Sequence, residues 1–203
     1  MATPQEKLAE SLEALRTLQG QGRVAIRSRD LSRTHRERLV KNAFLQEVMK
    51  GWYIPADSRG EAGDSTPWYA SFLDFSAAYL KERFGTDWCL APEQSLLLHA
   101  GNRTVPTMLH VRAPKGGNKL TQLPYGTSLM DARYPLQDDA QIVELDGLRM
   151  YSVPAALITC TAAFFRQAPT DVRAAMATIK DASDVLALLL AGGHSTIAGR
   201  VAG

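Results

Sequence analysis

The segment Ile26–Pro55 constrains the fold more than any other part of the chain, because signals for helices and a hairpin follow one another closely. A short helical signal comes first. Ser32 then stands where an N-cap residue belongs, and its side-chain oxygen is expected to accept a hydrogen bond from the start of the next helix. That helix is rich in arginine and lysine, and we expect Asn42 to end it in a left-handed conformation.

The remainder of this segment predicts a β-hairpin. Two short strands, Phe44–Val48 and Trp52–Ile54, flank the turn Met49-Lys50-Gly51, in which Gly51 can adopt a positive φ. A basic helix followed by a hairpin with a basic tip is typical of a winged helix-turn-helix, whose helix enters the major groove of DNA while its wing contacts phosphate. We therefore predict a winged helix-turn-helix DNA-binding domain over residues 1–56.

The distribution of charge agrees with a polyanionic partner. The segment Arg23–Lys50 has eight lysines and arginines against three acidic residues, an excess of five positive charges, whereas the whole chain carries only +2. Charge runs are usually solvated helix faces, and charge alone would favour that interpretation. The combination of this charge with the order of helix and hairpin favours double-stranded DNA as the partner.

Position along the basic helix suggests a division of roles. Arg33, Thr34 and Glu37 lie near its N-terminal end, where recognition helices reach base edges. Lys41 and Lys50 are better placed for phosphate. The complete set of predicted DNA-binding residues is Arg27, Arg29, Ser32, Arg33, Thr34, Arg36, Glu37, Lys41, Lys50 and Trp52, with Lys115 and Lys119 as a possible secondary contact.

Several short motifs together resemble those of a known family. They read Leu31-Ser32-Arg33, Leu39-Val40-Lys41, Leu45-x-Glu47-Val48-x-Lys50-Gly51-Trp52-Tyr53, Ser95-x-x-x-His99, Ala113-Pro114-Lys115-Gly116-Gly117 and Leu148-Arg149-Met150-Tyr151-Ser152-Val153-Pro154. Through them, most of the chain resembles the AbiEi-family antitoxins of type IV toxin–antitoxin systems, which have an N-terminal winged helix. A related arrangement forms the N-terminal region of some bacterial Fic-type proteins.

The resemblance implies two alternative functions. As an AbiEi-like antitoxin, the chain would bind operator DNA, repress its own operon and have a toxin protein as its partner. As part of a larger Fic-type protein, it would be a non-catalytic regulatory or interaction region next to a fused Fic domain. Two residues depart from the family pattern, since Arg36 replaces an apolar residue and Ala43 replaces glycine.

A polar, glycine-containing segment, Ala56–Asp64, is the best candidate for a linker between domains. Residues 65–203 are then predicted to form a mixed α/β second domain with a helical C-terminus, so the fold class of the chain is α+β. Its first predicted elements are a helix from Pro67 to Gly85 with aromatic residues facing the core, a helix from Pro92 to Gly101, and strands Met108–Arg112 and Lys119–Leu123 around the turn Pro114–Asn118. A hairpin follows over Ile142–Tyr151 with a type I′ turn at Asp146-Gly147, and then come helices over 153–165, 171–180 and 183–190.

The residues that could carry chemistry form neither a catalytic nor a metal-binding pattern. The cysteines and histidines lack the spacing of zinc ligands. Ser95 and His99 lie one helical turn apart without a nucleophile elbow, which favours a surface or structural pair, with an active site around them as the remaining alternative. The loop Pro114–Asn118 lacks the spacing of a P-loop and is more simply a turn, and His194–Arg200 lacks the Gly-Asn-Gly of the Fic catalytic loop. We therefore predict no enzyme activity, no metal and no cofactor.

Composition indicates a globular protein in the cytoplasm. No apolar run reaches the roughly 18 residues of a membrane-spanning helix, and the N-terminus lacks the pattern of a signal peptide. The only cysteines, Cys89 and Cys160, are then expected to be reduced. A helix signal begins at Ser195 shortly before the chain ends, which would fit a fragment of a longer polypeptide or a frayed natural terminus. A homodimer is an open alternative to a monomer.

Overall fold

The computed structural model describes residues 3–56 and 63–192, and in these ranges the chain is a mixed α/β protein with eight α-helices. The predicted helix at Ser195, the segment His194–Arg200 and most of the predicted linker Ala56–Asp64 lie outside the described residues. Contacts between residues divide the chain into two compact units. They are Met1–Glu82 with Gln122–Thr127, and Arg83–Thr121 with Ser128–Gly203.

In its described residues, the first unit contains three short strands and three α-helices. They are α1 (Pro4–Gly20), β1 (Ile26–Arg27), α2 (Arg33–Lys41), β2 (Leu45–Met49), β3 (Trp52–Pro55) and most of α3 (Thr66–Phe84). The strands form one antiparallel sheet in the order β1-β3-β2. Apolar side chains from α1, α2 and the sheet meet in a single buried cluster, which contains Leu15, Leu18, Ile26, Leu31, Leu39, Leu45 and Tyr53.

The segment between β1 and α2 differs from its prediction. No helix precedes α2 in the described part of this segment, because Ile26 and Arg27 form a strand and the chain then turns. The Asp30 carboxylate accepts from the Arg27 amide at 2.8 Å and closes this turn. The Ser28 amide donates to the carbonyl oxygen of Gly51, so the backbone of the segment bonds to the hairpin instead of forming a helical turn.

The predicted beginning of α2 is confirmed. Ser32 is the N-cap, and its hydroxyl oxygen accepts from the His35 amide at 3.2 Å. At the predicted tip of the hairpin, Met49 pairs with Trp52 across Lys50 and Gly51. Gly51 has φ 81°, as the turn was expected to require.

The predicted end of α2 is wrong by one residue. Asn42 has φ −100°, whereas Ala43 has φ 57° and is the residue in the left-handed conformation. The Ala43 amide donates to the Val40 carbonyl, and the Phe44 amide donates to the Leu39 carbonyl. These two bonds define a Schellman motif, in which glycine usually occupies the position of Ala43. Because Phe44 closes the helix, β2 begins after it.

The aromatic residues of α3 belong to the core, as predicted. Trp68 and Phe75 are fully buried. Trp52 of β3 packs edge-on against Phe75 and Tyr79, with ring centroids 5.6 Å and 5.7 Å apart. This packing ties α3 to the sheet, and it explains why the first unit continues to Glu82 and not only to the predicted linker.

The second unit contains the remaining strands and helices. They are β4 (Cys89–Leu90), α4 (Pro92–His99), β5 (Met108–Ala113), β6 (Lys119–Gln122), β7 (Ser128–Arg133), β8 (Ile142–Leu145), β9 (Leu148–Tyr151), α5 (Val153–Thr159), α6 (Ala162–Gln167), α7 (Pro169–Met176) and α8 (Ala182–Gly192). The strand order of the larger sheet is β4-β5-β7-β6, and β5 and β7 are parallel. The expected return strand β6 therefore does not pair with β5, because the unpredicted strand β7 lies between them.

Near the C-terminus the predicted hairpin is confirmed and the following helix is shorter than expected. Leu145 pairs with Leu148, and Asp146 and Gly147 have φ 52° and 75°, the two positive values of a type I′ turn. Helix α5 stops before Cys160, whose ψ of 161° is extended. The predicted helix over 153–165 is thus two helices, α5 and α6.

Candidate nucleic-acid interface

One side of α2 carries four of the predicted DNA-binding residues. Arg33, Thr34, Glu37 and Lys41 are exposed, and their spacing along the helix places them on the same side. Leu39 lies on the opposite side and is completely buried. Packing of Leu39 therefore fixes which side of α2 faces solvent.

Arg33 and Glu37 form an exposed ion pair one helical turn apart. Arg33 Nε lies 2.6 Å from Glu37 Oε1, and the two side chains are 82% and 60% exposed. The hydrogen bond from Arg33 lowers the pKa of Glu37, and the same bond raises the pKa of Arg33. An ion pair this exposed contributes little stability, so either side chain can leave it at small cost.

Arg36 also lies on α2, but it faces the turn before the helix. Its Nη1 donates to the Ser28 carbonyl oxygen at 2.8 Å, and its guanidinium lies 5.9 Å from the centre of the Tyr53 ring. The departure from the family pattern at this position therefore creates a contact between α2 and the turn. Part of Arg36 remains accessible, since the residue is only half-buried.

Arg38 and His35 attach α2 to α1. Arg38 Nη1 donates to the Lys7 carbonyl oxygen at 2.6 Å and to the Ser11 hydroxyl at 2.8 Å. His35 Nδ1 lies 2.9 Å from the same hydroxyl, which is fully buried. These polar contacts orient α2, and sequence reasoning had counted Arg38 only as a positive charge.

The remaining predicted arginines meet a carboxylate that the sequence reasoning did not identify. Arg27 and Arg29 both contact Glu82 of α3, at 2.7 Å and 2.9 Å. The Arg27 guanidinium also lies 4.4 Å from the centre of the Trp52 ring. No local pattern points to Glu82, because it is more than fifty residues from its partners and only folding brings them together.

The β2–β3 hairpin places its two predicted contact residues very differently. Lys50 is exposed in the turn. Trp52 is only 5% exposed and packs against Phe75, so its predicted contact with DNA is corrected to a role in the core. Indole rings are large apolar surfaces, and burial in an aromatic cluster stabilises them more than a solvated position does.

The comparisons with known proteins give no relative. No protein-family model matches the chain, and neither a curated protein nor a solved structure is significantly similar to it. Among the described residues, no group of histidine, cysteine and acidic side chains could hold a metal ion. In the same part of the chain, none of the helices is both long and apolar enough to cross a membrane.

An open groove beside α2 adds a lysine that the sequence reasoning did not single out. The groove has a volume of about 590 Å³ and lies between the first turns of α1 and one side of α2. Lys7 lines it from α1, while Thr34, Glu37 and Lys41 line it from α2. The exposed side of α2 is therefore bordered by one lysine of α1.

In the second unit, the loop between β5 and β6 binds an internal carboxylate. The Gly117 and Lys119 amides donate to Asp131 Oδ1 at 3.1 Å and 2.8 Å, and Arg83 lies 2.5 Å from Asp131 Oδ2. Two amides that could have cradled a phosphate are thus used by a fully buried side chain. The side chains of Lys115 and Lys119, the predicted secondary contact, remain exposed.

Ser95 and His99 have structural partners. The Ser95 hydroxyl donates to the Ala91 carbonyl and accepts from the Tyr151 amide at 3.2 Å. His99 Nε2 lies 2.8 Å from the Tyr151 carbonyl oxygen, so this nitrogen must carry the proton. Both side chains bond to the Tyr151 backbone and hold β9 against α4, which is a structural role.

Proposed function

We propose that the chain is a DNA-binding transcriptional regulator that contacts operator DNA through α2 and the β2–β3 hairpin. The observation that carries this proposal is the exposed side of α2, where Arg33, Thr34, Glu37 and Lys41 lie together opposite the buried Leu39. Side chains of these types read base edges and bind phosphates. The order α1-β1-α2-β2-β3 with a β1-β3-β2 sheet supports a winged helix, with the β2–β3 hairpin as its wing.

We assign different tasks to the helix and the wing. Arg33 would donate to guanine, and Glu37 would accept from cytosine, since these are the bases that match their hydrogen-bonding groups. Their mutual ion pair would hold both side chains extended over the helix until a base replaces it. Lys41 and Lys50 would contact phosphates, which carry no sequence information but fix the position of the helix.

The test is the salt dependence of binding by the full chain, measured by fluorescence anisotropy. One duplex is selected by the protein from a random library, and the other is of random sequence. The logarithm of affinity should fall with the logarithm of salt concentration, by about 0.9 for each neutralised phosphate. Absence of binding at low salt, or binding that salt leaves unchanged, would refute the proposal.

Two variants test the division of tasks. Arg33→Ala should weaken binding to the selected duplex by about 1–3 kcal/mol and have a smaller effect on the random duplex. Lys50→Ala should weaken both alike and reduce the salt slope by about one. Lys180→Ala removes the same charge from an exposed position of the second unit and is the control. Equal losses for Arg33→Ala on both duplexes would assign Arg33 to phosphate.

We further propose, from the resemblance to AbiEi-family antitoxins, that the regulator represses its own operon and that the second unit contacts a toxin protein. A homodimer would fit this role, because two half-sites multiply the specificity of one short helix. The alternative proposal is a non-catalytic region that contacts a fused Fic domain. The two differ in DNA binding, so a chain that binds no duplex but does bind a Fic domain would favour the alternative.

A further inference from the structure

Arg27 at the end of β1 and Arg29 in the turn that follows hold one carboxylate between them. Arg27 Nη2 lies 2.7 Å from Glu82 Oε1, and Arg29 Nη2 lies 2.9 Å from Glu82 Oε2. Each carboxylate oxygen thus accepts from a different guanidinium. A phosphodiester presents two non-bridging oxygens that can be bound in the same way, and arginine is the side chain best suited to bind either group.

The two arginines lie where the wing and α2 meet. The Ser28 amide between them in sequence donates to the Gly51 carbonyl in the wing, at 3.0 Å. The Ser28 carbonyl accepts from Arg36 of α2. A phosphate bound by Arg27 and Arg29 would therefore lie beside the elements that the proposed function places on DNA.

Glu82 is not held strongly in this position by its own helix. It lies in the last turn of α3, where the partial negative charge of the helix end disfavours a carboxylate. Its side chain is 31% exposed and that of Arg29 is 68% exposed, so water already reaches the ion pairs. Rotation of one side chain would empty the site without any movement of the backbone.

We infer that Arg27 and Arg29 form a phosphate-binding site that Glu82 occupies in the free protein, and that a DNA backbone phosphate replaces the Glu82 carboxylate when duplex binds. This inference rests on the proposed function, and it adds that the Glu82 carboxylate competes with DNA phosphate for the two arginines. Glu82 acts as an internal mimic of phosphate. It lowers affinity for every duplex alike, so that binding depends more strongly on the base contacts of α2.

The first experiment replaces Glu82 by glutamine, which keeps the shape of the side chain and removes its charge. Glu82→Gln should raise affinity for selected and random duplexes by a similar factor, roughly eightfold at 0.1 M salt, which is the effect of one phosphate contact. The salt slope should also become steeper, because salt weakens the ion pairs through which Glu82 competes in the wild-type protein and this compensation is lost in the variant. Glu13→Gln makes the same change of net charge at an exposed position of α1 and is the control.

A second variant removes one arginine and leaves the fold of the turn in place. Arg29 is the more exposed of the pair, and Arg29→Met keeps an unbranched apolar stem while it removes the guanidinium. In the wild-type background it should weaken binding to both duplexes, and combined with Glu82→Gln it should remove most of the gain. Thermal unfolding of each variant shows whether a change in affinity accompanies loss of structure.

The outcomes separate the two proposals. If wild-type protein binds no duplex, the proposed function fails. If wild-type protein binds with the expected salt dependence, but Glu82→Gln and Glu13→Gln change affinity equally, only the inference about Glu82 is overturned. A folded Arg29→Met variant with unchanged affinity and salt slope would also overturn it, because the site would then contact no phosphate.

Discussion

Replacement of Ala43 by glycine should stabilise the protein. Ala43 has φ 57°, and a residue with a Cβ atom in this conformation costs about 1–2 kcal/mol relative to glycine. Glycine in turn loses more conformational freedom on folding, which costs about 0.5–1 kcal/mol. Ala43 is exposed, so little apolar burial is lost with its methyl group. The net expectation is a gain of about 0.5–1 kcal/mol in the free energy of unfolding.

The neighbouring residue provides a matched control with the opposite sign. Asn42 has φ −100°, where glycine offers no relief, and its Nδ2 donates to the Arg38 carbonyl oxygen at 2.8 Å. Asn42→Gly loses this exposed hydrogen bond and adds the entropic cost of glycine. It should therefore destabilise the protein by about 1 kcal/mol.

Urea unfolding followed by tryptophan fluorescence measures both variants, since Trp52 lies in the same unit. For a slope of about 2 kcal/mol/M, Ala43→Gly should raise the midpoint by roughly 0.3–0.5 M without changing the slope. Stabilisation by Asn42→Gly, or destabilisation by Ala43→Gly, would refute the assignment of the helix end. The first of these results is what the sequence-based placement of the left-handed residue at Asn42 implies.

Three further predictions concern the second unit. Asp131→Asn should lower the free energy of unfolding by about 3 kcal/mol, because it removes the buried negative charge that pairs with Arg83 and accepts from the Gly117 and Lys119 amides. Asp139→Asn, at a 94% exposed position, should cost less than about 0.5 kcal/mol in the same urea titration. Ser95→Ala should cost about 1–3 kcal/mol because the buried Tyr151 amide loses its acceptor, and an unchanged midpoint would contradict the structural role of Ser95. Burial raises the pKa of the Cys89 thiol from 9.0 to about 11, so the thiol of the unfolded chain loses its proton first and the stability of the protein falls as the pH rises from 9 to 11. Cys89→Ala should therefore lose less melting temperature over that pH range than the wild type does. An equal loss in the two proteins would contradict this assignment.

Local chemistry explains which elements could be predicted from sequence. The N-cap at Ser32, the positive φ at Gly51 and the Asp146-Gly147 turn depend on single residues and their immediate neighbours, and all are confirmed. The end of α2 was predicted one residue too early, because asparagine tolerates the left-handed conformation better than alanine does. The helix ended instead where the two Schellman bonds could form.

Strand β7 could not be predicted because its defining residue is a buried charge. Asp131 interrupts the apolar pattern of Ser128–Arg133, and a carboxylate is rarely fully buried unless it is paired. Its partners, Arg83 and the amides of the β5–β6 loop, lie far away in sequence. The position of β7 between β5 and β6 follows from these non-local contacts, which no periodicity displays.

In the candidate interface too, local contacts could be predicted from sequence and contacts between distant residues could not. The exposed side of α2 follows from helical spacing around Leu39. The sequence predicted Arg33, Thr34 and Glu37 near the start of the helix and Lys41 as a separate phosphate contact, and the structure places Lys41 on the same side as these three. The acidic partner of Arg27 and Arg29 could not be predicted from helical spacing, because Glu82 belongs to another helix. A count of basic residues therefore overstates the net positive charge of this surface.

The structural contacts of these arginines are compatible with the proposed DNA contacts. A guanidinium has five N–H donors and keeps its positive charge when one of them is used. Arg36 donates from Nη1 to a backbone carbonyl, which neutralises nothing, so its charge still contributes to the potential near α2. Glu82 is different, because it cancels charge where Arg27 and Arg29 could bind phosphate. Removal of the Glu82 charge is therefore a clearer test of DNA affinity than removal of Arg36. Arg36→Ala would remove a positive charge and a contact that holds α2 in place, so a loss of affinity would have two causes.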